Sequence, residues 1–230
     1  MTENSKPLKD RVALVTGASR GIGAAVSVRL AELGAHLILV ARTKAGLEEV
    51  DDKIRSIGGT ATLTPLDLSQ GVKINQLGSA LFERYKKLDI LIGNAGLLGT
   101  LGPINHIDPK VWQQTMDVNL TANWWLIRSL DPLLRQSSSG RAVFITSTAG
   151  HRSRSYWGVC AVSKAGLEML VKTYAHEVEK TNINVNLFNP GGTRTRMRAE
   201  AFPGEDPMTL KTPEHIADQI VKMTLPSYAV

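Results

Sequence analysis

A glycine-rich turn near the start of the chain most constrains the fold. The turn reads TGASRGIG from Thr16 to Gly23, follows the apolar run VALVT, and leads into a stretch of helical spacing that begins at Ile22. Glycines let the backbone approach a pyrophosphate closely, and the free N–H groups of the following helix point at the anion. A tight structural turn is the alternative interpretation. Because the turn lies between a predicted strand and a predicted helix, we favour a nucleotide site.

Predicted strands and helices alternate along the rest of the chain. Short apolar runs predict six strands, at residues 12–16, 37–40, 61–66, 88–92, 142–145 and 184–188. Helical spacing predicts helices at residues 22–33, 47–57, 72–85, 110–134, 156–179 and 213–224. The alternation indicates βαβ crossovers, and therefore an α/β fold with a doubly wound parallel sheet of the Rossmann type in three layers.

The 230 residues are expected to form a single nucleotide-binding domain, because no long linker, repeat or low-complexity segment divides them. Within this domain we predict a flexible N-terminus at residues 1–9. Residues 191–212 are rich in Gly, Pro, Thr and Arg and lack periodicity, which predicts a long loop that contacts substrate or cofactor. A final helix is expected to follow the loop, with Thr212 as its N-cap.

The composition argues against membrane and secreted classes. Cys160 is the only cysteine, so no disulfide can form within the chain, which fits a reducing cytoplasm. No apolar run approaches the roughly 20 residues that span a bilayer. Residues 1–10 are polar and lack the apolar core of a signal peptide. We therefore expect a cytoplasmic protein with no membrane partner.

The net charge of +6 leaves two interpretations open, a solvated surface or attraction of an anionic ligand. Nucleic acid is not an expected partner, because no block of lysine and arginine is interleaved with aromatic residues. No spacing of His, Cys, Asp and Glu suggests a metal site, so we expect no metal cofactor.

The chain resembles the short-chain dehydrogenase/reductase family in six ordered motifs. In chain order they are Gly17, Gly21 and Gly23 in T-G-x-x-x-G-x-G, Asn94-Ala95-Gly96, Asn119 within D-V-N-L, Ser147 after the fifth strand, Lys164 within A-V-S-K-A-G, and Pro190-Gly191 with Thr195 in P-G-x-x-x-T. The resemblance covers the chain from about residue 10 to residue 196.

This resemblance implies an oxidoreductase that transfers a hydride between a nicotinamide cofactor and a small-molecule carbonyl or alcohol. Asp67 matches the family's contact to the adenine amino group. The predicted cofactor-binding residues are Gly17, Ser19, Arg20, Gly21, Ile22, Gly23, Arg42, Asp67, Leu68, Asn94, Ala95, Gly96, Lys164, Pro190, Gly191, Thr193 and Thr195.

The residues after the second strand indicate which nicotinamide cofactor is preferred. NAD-binding proteins of this fold usually place an acidic residue there, which bonds to the ribose hydroxyls. Here Val40 is followed by Ala41, Arg42 and Thr43, without a carboxylate. Arg42 and Arg20 offer donors suited to a 2′-phosphate, so we predict NADP(H). The alternative is that both arginines are solvated surface charges.

The resemblance also implies a catalytic set of asparagine, serine, tyrosine and lysine. Asn119, Ser147 and Lys164 match three of these positions, but Cys160 stands at the tyrosine position. A neighbouring Lys164 is expected to push the thiol toward thiolate. Because a cysteine side chain is much shorter than a phenol, we expect impaired proton transfer. The alternative is a non-catalytic NADP(H)-binding or regulatory protein.

Three further interpretations of Cys160 stay open. Tyr156, one helical turn earlier, could bring its hydroxyl inward and replace the missing phenol. Cys160 itself could be a thiol catalyst or a redox sensor. The third interpretation is an inert, buried small side chain.

The two long predicted helices suggest a homodimer. Trp112, Trp124 and Trp125 lie on the first of them, where packing in the core or against a partner subunit is expected. In the resembling family these two helices commonly pack against a second subunit. The chain lacks a sequence for the family's usual seventh, C-terminal strand, so we expect a dimer rather than a tetramer.

Overall fold

A computed structural model describes residues 6–228 of the chain. It contains one parallel sheet, whose strands are β1 (Val12–Thr16), β2 (His36–Ala41), β3 (Thr60–Pro65), β4 (Ile90–Gly93), β5 (Gly140–Ile145) and β6 (Ile183–Phe188). The strand order is β3-β2-β1-β4-β5-β6. Each strand lies within two residues of its predicted bounds, and within residues 6–228 no seventh strand joins the sheet. The predicted Rossmann-type sheet is confirmed.

Eight α-helices cover the two faces of the sheet in the described residues. They are α1 (Gly21–Glu32), α2 (Lys44–Ser56), α3 (Gly71–Tyr85), α4 (Pro109–Met116), α5 (Ala122–Leu134), α6 (Gly158–Glu177), α7 (Arg196–Ala201) and α8 (Pro213–Lys222). Thr212 caps α8 as predicted, since its hydroxyl accepts a hydrogen bond from the His215 N–H at 3.2 Å.

Two apolar layers hold the helices against the sheet. Parallel strands buried on both faces need apolar side chains at almost every position, which is why the central strands read as continuous apolar runs. One layer joins the sheet to α1, α2 and α8 through Val26, Leu30, Leu47, Ile54, Ile216 and Ile220. The other joins it to α3, α5 and α6 through Ile74, Leu81, Leu126, Leu130, Leu167 and Val171.

The structure corrects two predictions of local structure. The helix predicted at 110–134 is divided, because a π-helical turn at Asp117–Thr121 separates α4 from α5. The flexible N-terminus predicted at 1–9 is wrong for its described part, residues 6–9. Leu8 is fully buried, and its N–H donates to the Leu33 carbonyl at 2.9 Å, so this segment packs on the end of α1. Residues 1–5 lie outside the described residues.

The predicted loop at 191–212 contains two short helical segments. They are α7 and a 3₁₀ turn at Pro207–Thr209. The Thr195 hydroxyl caps α7 by accepting from the Arg198 N–H at 3.2 Å. The chain therefore returns across the carboxyl edge of the sheet as ordered structure before α8 begins.

Candidate active site

A cleft of about 560 Å³ lies at the carboxyl ends of the strands. Its walls come from the segments that follow all six strands, and the strand order reverses between β1 and β4 at its centre. A doubly wound sheet opens a crevice for ligands at this point, because the crossovers on its two sides diverge. Of the predicted site residues, all but Gly23 and Asn119 line the cleft.

The glycine turn between β1 and α1 forms one wall. Gly17 and Gly21 have φ angles of +64° and +56°, in the left-handed region that glycine adopts without strain. Gly23 lies behind this wall, where a Cβ atom would collide with the Gly17 carbonyl oxygen. The third glycine of the motif is therefore required for close packing of helix against turn.

Asn94 and Thr16 tie the glycine turn to the end of β4. The Asn94 side-chain amide donates to the Thr16 carbonyl at 2.8 Å. The Thr16 hydroxyl accepts from the N–H groups of Asn94 and Ala95, each at 3.0 Å. These bonds fix two loops of the cleft against each other. The sequence motif predicts Asn94 as a site residue. The role of Thr16 could not be predicted, because its hydroxyl bonds to residues that follow a neighbouring strand, β4.

Basic side chains replace a carboxylate at the outer end of the cleft. Arg20 and Arg42 both line it and are exposed, and neither forms an ion pair within residues 6–228. Asp67 lies near Arg42. A hydrogen bond from the Ser69 backbone N–H lowers the pKa of Asp67, and the charge of Arg42 lowers it further. The end of β2 thus presents a guanidinium group where an acidic residue would contact a free ribose.

Lys164 and Cys160 lie side by side on α6 in the inner wall. Both are buried, and the Lys164 ammonium donates to the Ile145 carbonyl at 2.7 Å. Burial lowers the pKa of Lys164 to about 8, although Cys160 and Glu168 act in the opposite direction. Burial also raises the pKa of the Cys160 thiol, and this effect exceeds the lowering by Lys164. Lys164 therefore acts on the thiol in the expected direction, but burial outweighs it and the thiol is not shifted toward thiolate.

Ser147 and Tyr156 differ in their relation to the cleft. Ser147 lines it and caps the 3₁₀ turn Thr148–Gly150, its hydroxyl accepting from the Ala149 N–H at 3.3 Å. Tyr156 is 61% exposed, has a φ angle of +74°, and does not line the cleft. This placement gives no support to a Tyr156 hydroxyl that replaces the missing phenol.

Asn119 lies behind the cleft, within the π-helical turn. Its side chain is fully buried, accepts from the Leu97 N–H at 2.7 Å, and donates to the Leu97 carbonyl at 3.0 Å. It also donates to the Ser163 hydroxyl at 3.0 Å. Asn119 thus joins the β4 loop to α6, and within the described residues it does not face the cleft.

Sequence reasoning missed the apolar end of the cleft. Trp157 lies three residues before Cys160, lines the cleft, and packs against Phe202 with ring centroids 5.6 Å apart. The residues that share this wall are Leu97, Leu98, Met197 and Ala201. Together with Trp157 they come from three separate segments with no common periodicity. In the sequence, only the position of Trp157 close to the A-V-S-K-A-G motif could have indicated this apolar wall.

The arginines after β6 have different partners. Arg196 lines the cleft and pairs with Glu200 at 3.0 Å. Arg198 pairs with Glu205 and lies over the Phe202 ring, 3.7 Å from its centroid. Arg198 therefore stabilises the loop after β6 by contacting two other residues of that loop.

Residues 6–228 contain neither a membrane-spanning helix nor a cluster of metal ligands. No helix there has the length and apolar character needed to cross a bilayer. In the same residues no three side chains of His, Cys, Asp or Glu converge as a set of metal ligands.

The Rossmann-type sheet, the glycine turn and the Ser147–Lys164 wall define an oxidoreductase of the short-chain dehydrogenase type. The chain belongs to this family: a family profile described as short chain dehydrogenase matches residues 11–206. The chain is 42% identical over 212 residues to the uncharacterized oxidoreductase YciK of Escherichia coli strain K12, covering 91% of this chain and 84% of YciK.

Solved structures of the family are closely similar. A short chain dehydrogenase from Shigella flexneri, complexed with NADP, superposes with a TM-score of 0.92 at 39% identity, covering 96% of this chain and 93% of that one. A short chain dehydrogenase from Escherichia coli CFT073, complexed with NADPH, superposes with a TM-score of 0.90 at 39% identity and the same coverage, 96% and 93%.

We expect Asn119→Ala to destabilise the fold. The substitution leaves the Leu97 N–H and carbonyl without their buried partner, which costs about 1–3 kcal/mol per unsatisfied group. Urea denaturation followed by circular dichroism measures the loss. Asn75→Ala, at an exposed position on α3, is the matched control. Equal stability of the two variants would contradict the assignment of Asn119 as a buried tie.

Proposed function

We propose that the protein is an NADP(H)-dependent oxidoreductase that transfers a hydride between the cofactor and a carbonyl or alcohol. The proposal rests on one observation: a single cleft brings together the glycine turn, the basic residues Arg20 and Arg42, and the Ser147–Lys164 wall. The NADP and NADPH complexes of the two similar dehydrogenases support this choice of cofactor. The single thiol, Cys160, is in keeping with the reducing cytoplasm that we propose as its location.

The residues at the glycine turn fit a dinucleotide. The first turn of α1 contains no acidic side chain, and no side chain caps its free N–H groups. These N–H groups and the positive end of the helix would hold a pyrophosphate at Ser19, Gly21 and Ile22. Arg42 and Arg20 would hold a 2′-phosphate, since their guanidinium groups are free of ion pairs within residues 6–228. Asp67 would accept a hydrogen bond from the adenine amino group.

The inner wall supplies the proton chemistry. NADP(H), when bound, supplies the hydride chemistry at its nicotinamide ring. Ser147 would donate a hydrogen bond to the substrate oxygen, and the Lys164 ammonium would stabilise negative charge there. Cys160 keeps its proton near neutral pH, since burial raises the pKa of its thiol. Its short side chain leaves the Ser147-bound oxygen out of direct reach, so we infer slow turnover.

A second candidate function is binding of NADP(H) without turnover, as in a regulatory protein. Cys160 favours this alternative, because a placed proton donor typically contributes about 10²–10⁴-fold to a rate. Retention of Ser147 and Lys164 in the same wall favours the enzyme. The substrate end supports a small molecule with an apolar part, because Trp157, Leu98 and Met197 line it.

Arg42→Ala should weaken NADPH binding by about ten-fold or more and leave NADH affinity nearly unchanged. A charge-assisted bond to phosphate contributes about 1.5–3 kcal/mol, whereas a ribose hydroxyl gives Arg42 no anion to bind. Fluorescence titration of both cofactors measures the two affinities. Arg84→Ala, on the outer surface of α3, is the control. Tighter NADH than NADPH binding by the intact protein would refute the cofactor assignment.

Cys160→Tyr should raise turnover of a reducible ketone by about 10²-fold, the lower part of the range for general acid–base catalysis. Cys160→Ala should leave the starting rate nearly unchanged. NADPH affinity should stay constant in both, because the phosphate contacts lie elsewhere. Steady-state assays over a panel of ketones measure the rates.

The same variants separate the other interpretations of the thiol. A thiol catalyst requires that Cys160→Ala abolish turnover and that Cys160→Tyr bring no gain. A rescue by the tyrosine one turn earlier requires Tyr156→Phe alone to be damaging. NADPH binding without turnover in every variant would favour the non-catalytic alternative.

We also propose a homodimer formed through α5 and α6. Their outer surfaces carry large exposed apolar side chains: Trp124 is 42% exposed, Val162 42% and Met169 65%. These three exposed side chains on the two helices support an interface there.

Met169→Glu should convert the dimer to a monomer, because it places a charge at an exposed apolar position of the proposed interface. Light scattering at micromolar protein concentration measures the mass. Met208→Glu is the matched control, since Met208 is 74% exposed but lies in the 3₁₀ turn after α7. A monomeric intact protein would refute the proposal.

A further inference from the structure

Glu168 holds the segment that carries Ser147. The Thr146 hydroxyl donates to the Glu168 Oε1 atom at 2.7 Å. His151 Nδ1 lies 3.2 Å from the same oxygen. The Glu168 side chain is 12% exposed, so this carboxylate is largely withdrawn from water. One oxygen atom of α6 therefore contacts the segment on both sides of Ser147.

The backbone of the segment also lies directly on α6. A Cβ atom at Gly150 would lie 2.8 Å from Glu168 Oε1 and 3.1 Å from the Lys164 carbonyl carbon, so no side chain separates turn from helix. Lys164, one helical turn before Glu168, donates to the Ile145 carbonyl at 2.7 Å. Four residues around Ser147, namely Ile145, Thr146, Gly150 and His151, thus meet one face of α6.

We propose that Glu168 is a positioning residue, which fixes Ser147 relative to Lys164 by anchoring the strand end and the following turn to α6. Glu168 does not line the cleft, so it acts through its neighbours. The proposal rests on the proposed function, in which Ser147 and Lys164 bind the reacting oxygen and stabilise its charge.

The charges around Glu168 add a second effect. Glu168 faces His151 on the turn, while Lys172 and Lys164 lie one turn away on its own helix, and Lys164 also faces Cys160. Burial raises the pKa of Glu168, but bonds from Thr146 and His151 and the nearby charges lower it more, so the carboxyl is ionised at neutral pH. This negative charge raises the pKa of Lys164 against the effect of burial. Loss of the charge should make Lys164 release its proton at lower pH.

Three variants separate the contact from the charge. Glu168→Ala removes both. Glu168→Gln keeps an acceptor oxygen of the same reach but loses the charge. Glu177→Ala, at an exposed position on the same helix, is the matched control for loss of a carboxylate.

Hydrogen exchange measured by mass spectrometry tests the contact. Exchange in residues 146–152 should be at least about ten-fold faster in Glu168→Ala, which loses the contacts with both Thr146 and His151. Glu168→Gln and Glu177→Ala should exchange at nearly the rate of the intact protein. Unchanged exchange in Glu168→Ala overturns the proposal.

Nuclear magnetic resonance titration of the Lys164 ammonium tests the effect of the Glu168 charge. A merely structural role of Glu168 would leave the pKa of Lys164 unchanged. Glu168→Gln should lower the pKa of Lys164 below about 8, and Glu177→Ala should leave it unchanged. An unchanged Lys164 titration in a folded Glu168→Gln protein overturns the electrostatic part. Failure of the intact protein to bind NADPH would reject the proposed function instead, while the exchange and titration results still decide the role of Glu168.

Discussion

The close approach of the glycine turn to the end of β4 is the constraint on which the site depends. A Cβ atom at Gly17 would lie 2.8 Å from the Asn94 amide nitrogen, and one at Gly23 would collide with the Gly17 carbonyl oxygen. The absence of side chains here lets Asn94 bond to the β1 carboxyl end at Thr16. The two loops at the reversal of strand order are thereby held together, and the free N–H groups of α1 face the space between them.

The second wall of the cleft is organised by one helix. Cys160, Lys164 and Glu168 follow each other at intervals of four residues on α6, which places them on one face. Lys164 bonds to the last residue of β5 and Glu168 to the segment that follows it, while Cys160 and Lys164 line the cleft and Glu168 does not. The glycine turn and the wall on α6 thus belong to different elements of the fold.

Much of the fold could be predicted from the sequence, because parallel strands buried on both faces leave unbroken apolar runs such as VALVT. The π-helical turn at Asp117–Thr121 could not, since the apolar spacing of 110–134 continues through it. Within this turn the Asn119 side chain bonds to Leu97, which is distant in the sequence. Trp157 was missed for a similar reason, as its partner Phe202 lies in the loop after β6. Motifs predict residues that a ligand contacts, whereas residues that support them depend on long-range contacts.

Burial determines the protonation state in which Cys160 can take part in the proposed function. A thiol beside an ammonium group ionises more easily in water, yet withdrawal of both groups from water raises the pKa of Cys160 and lowers that of Lys164 to about 8. The wall therefore holds a neutral thiol next to a cation that is close to losing its charge. Cys160 lies apart from the glycine turn and from Arg20 and Arg42, which would hold the phosphates, whereas Lys164 is also a predicted cofactor-binding residue. The proposed function accordingly separates two capacities, because its cofactor contacts would lie on the glycine turn and the basic residues, whereas its proton transfer would depend on the wall that carries Cys160.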